Sequence, residues 1–358
     1  MKKKVDWNKS DKCVRLFLGG DIMAGRAIDQ MFQVHNPEKF GKPDHIPASQ
    51  YRAWSEALYG GEFSPIKHDY IWGTALGIID RANVDFRLAN MEMAVTTSDD
   101  WFSKTFNFRM HPANIACISV AKLNCCTLAN NHILDFGKKG LIDSMYTLSE
   151  NKIGFTGAGL NQESSRQPYT HDLPNGIRVV VHSWGAKDSG IPLSWEASGS
   201  IPGLNYLADY SETSTLQLIQ VINEFRQEGD ITIFSIHWGK NWVLQIPDAH
   251  RKLAHRLIDD AGVDIIHGHS SHHPLRFEKY QEKLILYGCG DLINDYEGHP
   301  KYKSMRIHLG LLYFVDLDIE TKRLHKLTIV PVQRRRFRLE KPSNKDSAWL
   351  FKLIKNIQ

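Results

Sequence analysis

The chain has 358 residues, which is enough to bury a large core as one large domain or as two smaller ones. Its contents of 42% hydrophobic and 23% charged residues are ordinary for a soluble globular protein. The formal net charge of +4 is mild, so the composition gives no reason to expect a nucleic-acid partner.

Short apolar runs alternate with helical patterns along most of the chain. Strands are predicted at 14–19, 85–89, 123–129, 177–183, 231–236 and 263–266, and helices at 71–81, 141–151, 213–227 and 250–261. This alternation is typical of βαβ units around a largely parallel sheet. The later apolar segments 283–287, 309–316 and 324–330 lack long helices between them, which predicts antiparallel strands that complete a second sheet or an edge. An amphipathic pattern at 345–357 predicts a final helix.

Two segments, 31–69 and 184–212, lack clear periodicity and contain proline, glycine, histidine and aromatic residues. We interpret them as long loops, which serve either as lids and substrate walls or as ordinary surface excursions. No internal repeat or low-complexity linker divides the chain. A single domain is therefore the better prediction.

The cysteines and the N-terminus bear on the compartment. Five cysteines, without a Cys-x-x-Cys spacing, argue against a disulfide framework and a zinc ribbon and are typical of a reducing compartment. No N-terminal apolar stretch is long enough for a signal peptide, and no window approaches the length of a membrane span. We predict a cytoplasmic protein with no membrane span.

Five short polar motifs each follow a strand-like run. They are Gly20-Asp21-Ile22-Met23 with Arg26 beyond it, Asn90-Met91-Glu92, Asn130-Asn131-His132, His237-Trp238-Gly239 and Gly268-His269-Ser270-Ser271-His272. In α/β proteins, ligand sites form at the carboxyl ends of strands. Carboxylate, amide oxygen and imidazole are the ligands that hold divalent manganese, zinc or iron. The motifs therefore predict a site for one or two divalent metal ions.

The segment 267–273 contains four histidines. His269 and His272 are three residues apart on what should be a tight loop, so both imidazoles can converge on one metal ion. His267 and His273 flank these two and are predicted to be neighbours of the metal site or surface residues rather than ligands. A histidine beside the ligands can act as general acid or base.

The order of the five motifs resembles that of the CapA-type proteins of poly-γ-glutamate capsule synthesis, a family that is itself similar to the calcineurin-like metallophosphoesterases. The resemblance covers roughly residues 14–295. It implies an α/β fold, a four-layer α/β/β/α sandwich of metallophosphatase type, with the metal site at the strand ends between the sheets. The expected domain spans 1–340, with a C-terminal helix in 341–358 packed on it.

The resemblance also implies roles for individual residues. The metal ligands would be Asp21, Glu92, Asn131, His237, His269 and His272, with Glu92 between two metal positions. His132 would be the general acid, and Arg26 and Asn90 match family positions that hold substrate or support the ligands. Met23 departs from the phosphoesterase pattern, which has a histidine there, so the metal position served by Asp21 and His272 is one ligand short.

Two further residues have open interpretations. Arg109, in the stretch 104–109, would present a cation to an anionic or peptidic substrate, or it would lie on a plain β-hairpin edge. Asp291 follows another strand and would either orient a ligand histidine or act as a turn residue.

The function that the resemblance implies is a metal-dependent hydrolase or transferase acting on an amide, γ-glutamyl or phosphoester bond. Its substrate would be a small molecule, a peptide or a glutamyl polymer. Two other hypotheses remain open. One is a metal-dependent peptide epimerase that uses the same site, and the other is a non-catalytic accessory protein of polymer or capsule assembly.

Overall fold

A computed structural model of the chain describes residues 5–38, 46–63, 65–299 and 305–355. The strands are β1 Cys13–Ile22, β2 Phe86–Met91, β3 Ala94–Val95, β4 Arg109–Met110, β5 Cys125–Thr127, β6 Gly154–Thr156, β7 Ala158–Gly159, β8 Tyr169–Asp172, β9 Arg178–Ala186, β10 Gly203–Leu204, β11 Tyr206–Leu207, β12 Ile231–His237, β13 Ile265–His269, β14 Phe277–Tyr280, β15 Lys283–Leu286, β16 Asp291–Ile293, β17 Leu309–Asp318, β18 Leu324–Arg335 and β19 Arg338–Glu340. The helices are α1 Ala48–Tyr59, α2 Ala75–Arg81, α3 Ala116–Ser119, α4 Gly137–Glu150, α5 Gln162–Arg166, α6 Glu212–Phe225, α7 Asp248–Ala261 and α8 Asn344–Leu353.

Most of the strands form two large sheets. The first has the order β19-β18-β17-β1-β2-β5-β6, with β16 also paired to β1, and its strands β1, β2, β5, β6 and β16 run parallel. The second has the order β11-β9-β12-β13-β15-β14, with β8 on β9, and only β8 and β14 run antiparallel to their neighbours. The antiparallel strands β17, β18 and β19 complete the first sheet.

Alternate residues of each central strand face opposite sides of its sheet, and this places the apolar layers. On β1, Leu16 and Leu18 enter the apolar cluster between the sheets, while Phe17 enters the cluster under α2, α3 and α4. On β12, Ile233 points between the sheets, and Phe234 points to the cluster under α6 and α7. The predicted four-layer α/β/β/α sandwich is confirmed.

Strand register brings the polar motifs to one edge of the sandwich. In the first sheet Asp21 on β1 lies opposite Asn90 on β2 and Asp291 on β16. In the second sheet His237 on β12 lies opposite His269 on β13. Because parallel strands end at the same edge of a sheet, residues that follow different strands meet there.

Several boundaries differ from the sequence-based expectation. Strand β13 continues through His269, so His267 and His269 lie in a strand rather than on a loop. The helix expected over 71–81 begins only at Ala75, because Gly73, with a φ of 45°, interrupts it after a short 3-10 turn. The segment 31–69 is not only loop: it contains α1, while its residues 39–45 and 64 lie outside the described ranges.

The C-terminal third also departs in part from expectation. Strand β15 was expected to be antiparallel, but it runs parallel to β13, because the hairpin β14–β15 reverses the chain at the sheet edge. Helix α8 covers most of the predicted segment 345–357 and buries Leu350, and Ile354 just beyond it is also buried, both against the cluster between the sheets. In the part of the chain that the structure describes, no helix is long and apolar enough to cross a membrane.

A buried histidine in β9 gives a prediction on acid stability. His182 is 1% exposed, and neither ring nitrogen has a hydrogen-bond partner among the described residues. Burial lowers the pKa of His182 from 6.5 to about 4. Between pH 6.5 and 4 the unfolded chain therefore binds more protons at this residue than the folded one, and stability falls as the pH falls.

We expect His182→Leu to remove this acid sensitivity. The free energy of unfolding of the variant minus that of the wild type should increase by up to about 3 kcal/mol between pH 7 and pH 4, because only the wild type loses stability through His182. Urea unfolding at pH 7, 5 and 4 measures the difference. A difference that stays constant over this range would contradict the assignment of His182 as a neutral buried residue.

Candidate metal centre

Asp21 lies at the centre of the edge where the two sheets meet, and it is fully buried. Its Oδ1 accepts a hydrogen bond from Asn90 Nδ2 at 2.8 Å, and its Oδ2 accepts one from the Ser270 backbone N–H at 3.3 Å. Burial, together with the charge of Asp291, raises the pKa of Asp21 to about 6. The Asn90 Oδ1 accepts from Thr127 Oγ1 at 3.2 Å, so Asn90 is itself held in place to orient the Asp21 carboxylate.

Glu92 follows β2 and carries the second fully buried carboxylate. Its Oε1 lies 3.8 Å from His132 Nε2 and 3.8 Å from His237 Nε2. Neither carboxylate oxygen has a hydrogen-bond partner within the described ranges. Burial, and then the negative charge of Asp21, raises the pKa of Glu92. A buried carboxylate without donors costs several kcal/mol, and a cation bound beside it would offset that cost.

His237 and His269 end neighbouring strands of the second sheet. Their Nδ1 atoms are 2.7 Å apart, and His269 Nδ1 lies 3.9 Å from Asp21 Oδ1. Burial lowers the pKa of both histidines, which keeps them neutral and able to donate a lone pair to a metal. Potential ligand atoms of Asp21, His237 and His269 all lie within 4.8 Å of one another.

A second group of possible ligands shares Asp21. It consists of Asp21, His272 and Asp291, again with ligand atoms within 4.8 Å of one another. His272 Nδ1 lies 2.8 Å from Asp291 Oδ1 and donates its proton to that carboxylate, so a metal ion would bind at Nε2 in place of the second proton of the ring. Burial acts to lower the pKa of His272, but the Asp291 carboxylate outweighs it and the pKa is raised.

Met23 stands at the position where the phosphoesterase pattern has a histidine. Its side chain is fully buried, and its Sδ accepts a hydrogen bond from Tyr296 Oη at 3.5 Å. Tyr296 also lies edge-on to the His272 ring, with 5.9 Å between the ring centres. Met23 therefore contacts Tyr296, whose ring packs against that of His272.

His132 faces the two ligand groups from the first sheet. Its Nδ1 lies 2.6 Å from Asp135 Oδ2 and 3.0 Å from Lys104 Nζ, and Lys104 forms an ion pair with Asp135 Oδ1 at 2.5 Å. Burial, followed by the charge of Lys104, lowers the pKa of His132. Burial raises the pKa of Asp135 to about 7. Donation of the Nδ1 proton to Asp135 leaves the Nε2 lone pair of His132 toward Glu92.

Sequence reasoning missed Asp135. The available signal was its position three residues after His132, because a loop of that length can return a carboxylate to the imidazole. Lys104 was noted only as part of a stretch that offers a cation to substrate, and its contact with His132 could not be read from the sequence.

Two other predicted site residues, Arg26 and Asn131, have protein partners. Arg26 forms an ion pair with Asp295 through its Nε at 2.9 Å and through Nη2, and its guanidinium lies 3.6 Å from the ring centre of Tyr51. Asn131 Nδ2 donates to the Ser189 carbonyl at 3.3 Å. Its Oδ1 is buried and has no partner in the described part of the chain. The role of Arg26 in catalysis and that of Asn131 as a ligand remain predictions.

Arg109 is buried on β4 and holds the neighbouring loop. Its Nη1 donates to the Ser98 carbonyl and to Asp99 Oδ1, the latter at 2.8 Å, and its Nη2 donates to the Pro37 carbonyl at 3.4 Å. These contacts give the guanidinium a structural task. Substrate binding by Arg109 remains a prediction.

The donor set fits a divalent transition metal. It combines carboxylate oxygens with neutral imidazole nitrogens and contains no thiolate, which suits zinc, manganese or iron. The unpartnered oxygens of Glu92 and the unpartnered Nε2 of His237 point to the same conclusion, because these buried atoms lack donors or acceptors among the described residues.

Comparison with known proteins gives one matching family model, several similar sequences and several similar solved structures. Residues 15–296 match the family model described as bacterial capsule synthesis protein PGA_cap. A probable polyglutamine synthesis accessory protein of Mycobacterium tuberculosis is 36% identical over 347 residues, which cover 96% of this chain and 91% of that protein. The PGA biosynthesis protein CapA of Bacillus subtilis is 22% identical over 256 residues, which cover 70% of this chain and 64% of that protein. A solved structure of a novel phosphatase from Mycoplasma pneumoniae aligns with a TM-score of 0.48 at 10% identity, over 92% of this chain and 95% of that one.

Proposed function

This chain belongs to the bacterial capsule synthesis protein family PGA_cap, and we propose that it is a metal-dependent hydrolase or transferase that serves polyglutamate synthesis. Its reaction would take place at an amide, γ-glutamyl or phosphoester bond of a glutamyl polymer or peptide. The observation that carries the proposal is the buried Glu92 carboxylate, which has no hydrogen-bond partner within the described ranges and lies 3.8 Å from both His132 and His237. A site of this kind is costly unless it binds a cation.

The residues that would hold the metal fall into two groups. Asp21, His237 and His269 form one, and Asp21, His272 and Asp291 form the other, with Glu92 beside His237. A divalent ion bound there supplies Lewis-acid polarisation of a substrate oxygen. The imidazoles and carboxylates of the two groups would position the ion, and Asn90, which donates to Asp21 Oδ1, orients that carboxylate.

His132 is the residue that would move a proton. Its Nδ1–H is held by Asp135, so the free Nε2 can take a proton and later give it to a leaving group. Asp135 stabilises the imidazolium that forms in between, while Lys104 disfavours it and keeps the resting imidazole neutral. The pair therefore resembles the orienting carboxylate and histidine of other acid–base sites.

A second candidate function is a non-catalytic accessory role in polymer assembly. It is favoured by the name of the Mycobacterium tuberculosis relative, which is described as an accessory protein. In that role the buried polar residues would serve the fold or a partner rather than a reaction.

Metal removal and reconstitution separate the two candidates. We expect the protein stripped with a chelator to take up one or two equivalents of manganese, zinc or iron, measured by elemental analysis. Only the reloaded protein should turn over phosphoesters or γ-glutamyl peptides in an activity screen. A protein that takes up none of the three metals would favour the accessory role. Deuterium incorporation at Cα without bond cleavage would instead identify an epimerase.

A further inference from the structure

A chain of hydrogen bonds links the two sheets behind His269. His267 Nε2 on β13 lies 2.8 Å from the Gly19 carbonyl oxygen on β1. On the other side of the same ring, Nδ1 lies 2.9 Å from Ser235 Oγ on β12. Ser235 Oγ in turn lies 2.9 Å from His269 Nε2. All four residues line the buried interior, and both histidines and Ser235 are fully buried.

The position of each hydrogen in this series of hydrogen bonds follows from the first contact, between His267 Nε2 and the Gly19 carbonyl oxygen. The Gly19 carbonyl can only accept, so His267 Nε2 carries a hydrogen. The other contact of His267 is a hydroxyl, and a full charge buried between a carbonyl and a hydroxyl would be costly. His267 is therefore neutral, and its Nδ1 offers a lone pair.

Ser235 has one hydroxyl proton to distribute between two imidazoles. If the hydroxyl donates to His267 Nδ1, the contact with His269 is satisfied by a proton on His269 Nε2. If the hydroxyl instead donates to His269, a lone pair of His267 faces a lone pair of the serine oxygen, and one buried hydrogen bond is lost. The first arrangement satisfies every contact.

We propose that Ser235 and His267 are positioning residues that hold His269 in the Nε2–H tautomer, which keeps its Nδ1 free of a hydrogen and available to a metal ion beside Asp21. The proposal rests on the metal site of the proposed function. His269 Nδ1 lies 3.9 Å from Asp21 Oδ1, on the side of the ring opposite Ser235. Ser235 contacts the proposed ligand His269, and His267 contacts Ser235.

The same series of hydrogen bonds determines which nitrogen of His237 carries the hydrogen in the metal-free protein. The Nδ1 atoms of His237 and His269 are 2.7 Å apart, and this distance requires one hydrogen between them. Since His269 carries its hydrogen on Nε2, the one between the rings belongs to His237 Nδ1. The Nε2 of His237 is then a bare lone pair, in agreement with its having no partner among the described residues and lying 3.8 Å from Glu92.

The structure offers matched variants for a test. Ser235→Ala removes the hydroxyl that lies between His267 and His269. Ser183→Ala is its control, because Ser183 lies opposite Ser235 on the neighbouring strand and its Oγ has no hydrogen-bond partner among the described residues. His267→Leu removes the imidazole that contacts Ser235 and the Gly19 carbonyl. His182→Leu is its control, at another buried histidine. His267→Gln is the rescue variant, because its amide can donate to a carbonyl and accept from a hydroxyl.

The first readout is the tautomer of His269 in metal-free protein, by long-range 1H–15N NMR of the imidazoles. We expect the wild type, both control variants and His267→Gln to show the hydrogen on Nε2, and Ser235→Ala and His267→Leu to show a mixture. The second readout is zinc affinity by titration, which should fall about 10- to 100-fold in Ser235→Ala and His267→Leu only.

The two readouts separate the possible failures. A wild-type His269 with its hydrogen on Nδ1 would overturn the proposal, and so would a Ser235→Ala protein that matches Ser183→Ala in both readouts. If the protein takes up no metal, the proposed function fails, but the tautomer of His269 can still be read in the metal-free state.

Discussion

Replacing Glu92 by glutamine is expected to abolish metal-dependent turnover and to weaken metal binding by more than about 100-fold. The expected loss exceeds the roughly 10- to 100-fold that follows when a group behind a metal ligand is removed, because here the carboxylate itself is lost. Both oxygens of Glu92 are buried without a hydrogen-bond partner in the described ranges, so no donor in those ranges stabilises the charged carboxylate in place of a metal ion. Elemental analysis and zinc titration measure the loss.

The same substitution should have the opposite effect on the metal-free fold. Burial raises the pKa of Glu92, so the folded state holds a proton that the unfolded chain releases as the pH rises above 4.5. Glu92 therefore lowers stability at pH 7 and has little effect near pH 4. We expect the free energy of unfolding of metal-free Glu92→Gln at pH 7 to exceed that of the wild type by on the order of 1 kcal/mol. Urea unfolding of the two metal-free proteins measures this difference.

Glu297→Gln is the matched control for this experiment. Glu297 is also a buried carboxylate, but the backbone N–H groups of Arg336 and Phe337 donate to its oxygens. Its replacement should leave metal content unchanged. Full metal content and full turnover in Glu92→Gln would contradict the placement of the metal beside this carboxylate.

The second large effect is expected at His132. His132→Ala should lower turnover by about 10²- to 10⁴-fold, the usual contribution of a positioned acid or base, while metal content stays at the wild-type level. The physical reason is that its Nε2 faces Glu92 at 3.8 Å but is not a member of either ligand group. Steady-state kinetics test the loss of turnover, and elemental analysis tests the unchanged metal content. Substitution of the exposed His325 by alanine serves as control.

The pH dependence of turnover gives a further check on His132. Burial and the charge of Lys104 lower the pKa of His132 below 6.5, so the imidazole is neutral from pH 6.5 upward. Protonation of His132 should therefore cause no decline in activity in this range, and its effect on activity should appear only at lower pH. Unchanged turnover in His132→Ala would mean that another group moves the proton.

The sequence was a good guide to the strands and to the order of the polar motifs. Apolar periodicity and the polar residues that end each run are local properties, so β1, β2, β9, β12 and the helices α6 and α7 lie close to the predicted segments. The resemblance then indicated the sandwich and brought Asp21, His237, His269 and His272 forward as ligands, although their role as ligands is still a prediction.

Several contacts could not be predicted from these local patterns. His267 was placed among the neighbours of the site, and Ser235, which lies two residues before His237, was given no role. The hydrogen bond from His267 to Gly19 joins residues 248 positions apart, and the ion pair of Arg26 with Asp295 joins residues 269 positions apart. Such contacts depend on how two sheets lie against each other, which periodicity does not encode.

The sequence by itself determined which residue types stand at the strand ends, because strand length and turn chemistry depend on adjacent residues. The tertiary structure decided which atoms of those residues face each other. Glu92 meets His132 and His237, and Ser235 lies between two imidazoles. The physical reason is that ligand lone pairs and proton positions depend on separations of about 3 Å between distant segments, and only the packing of the two sheets sets those separations.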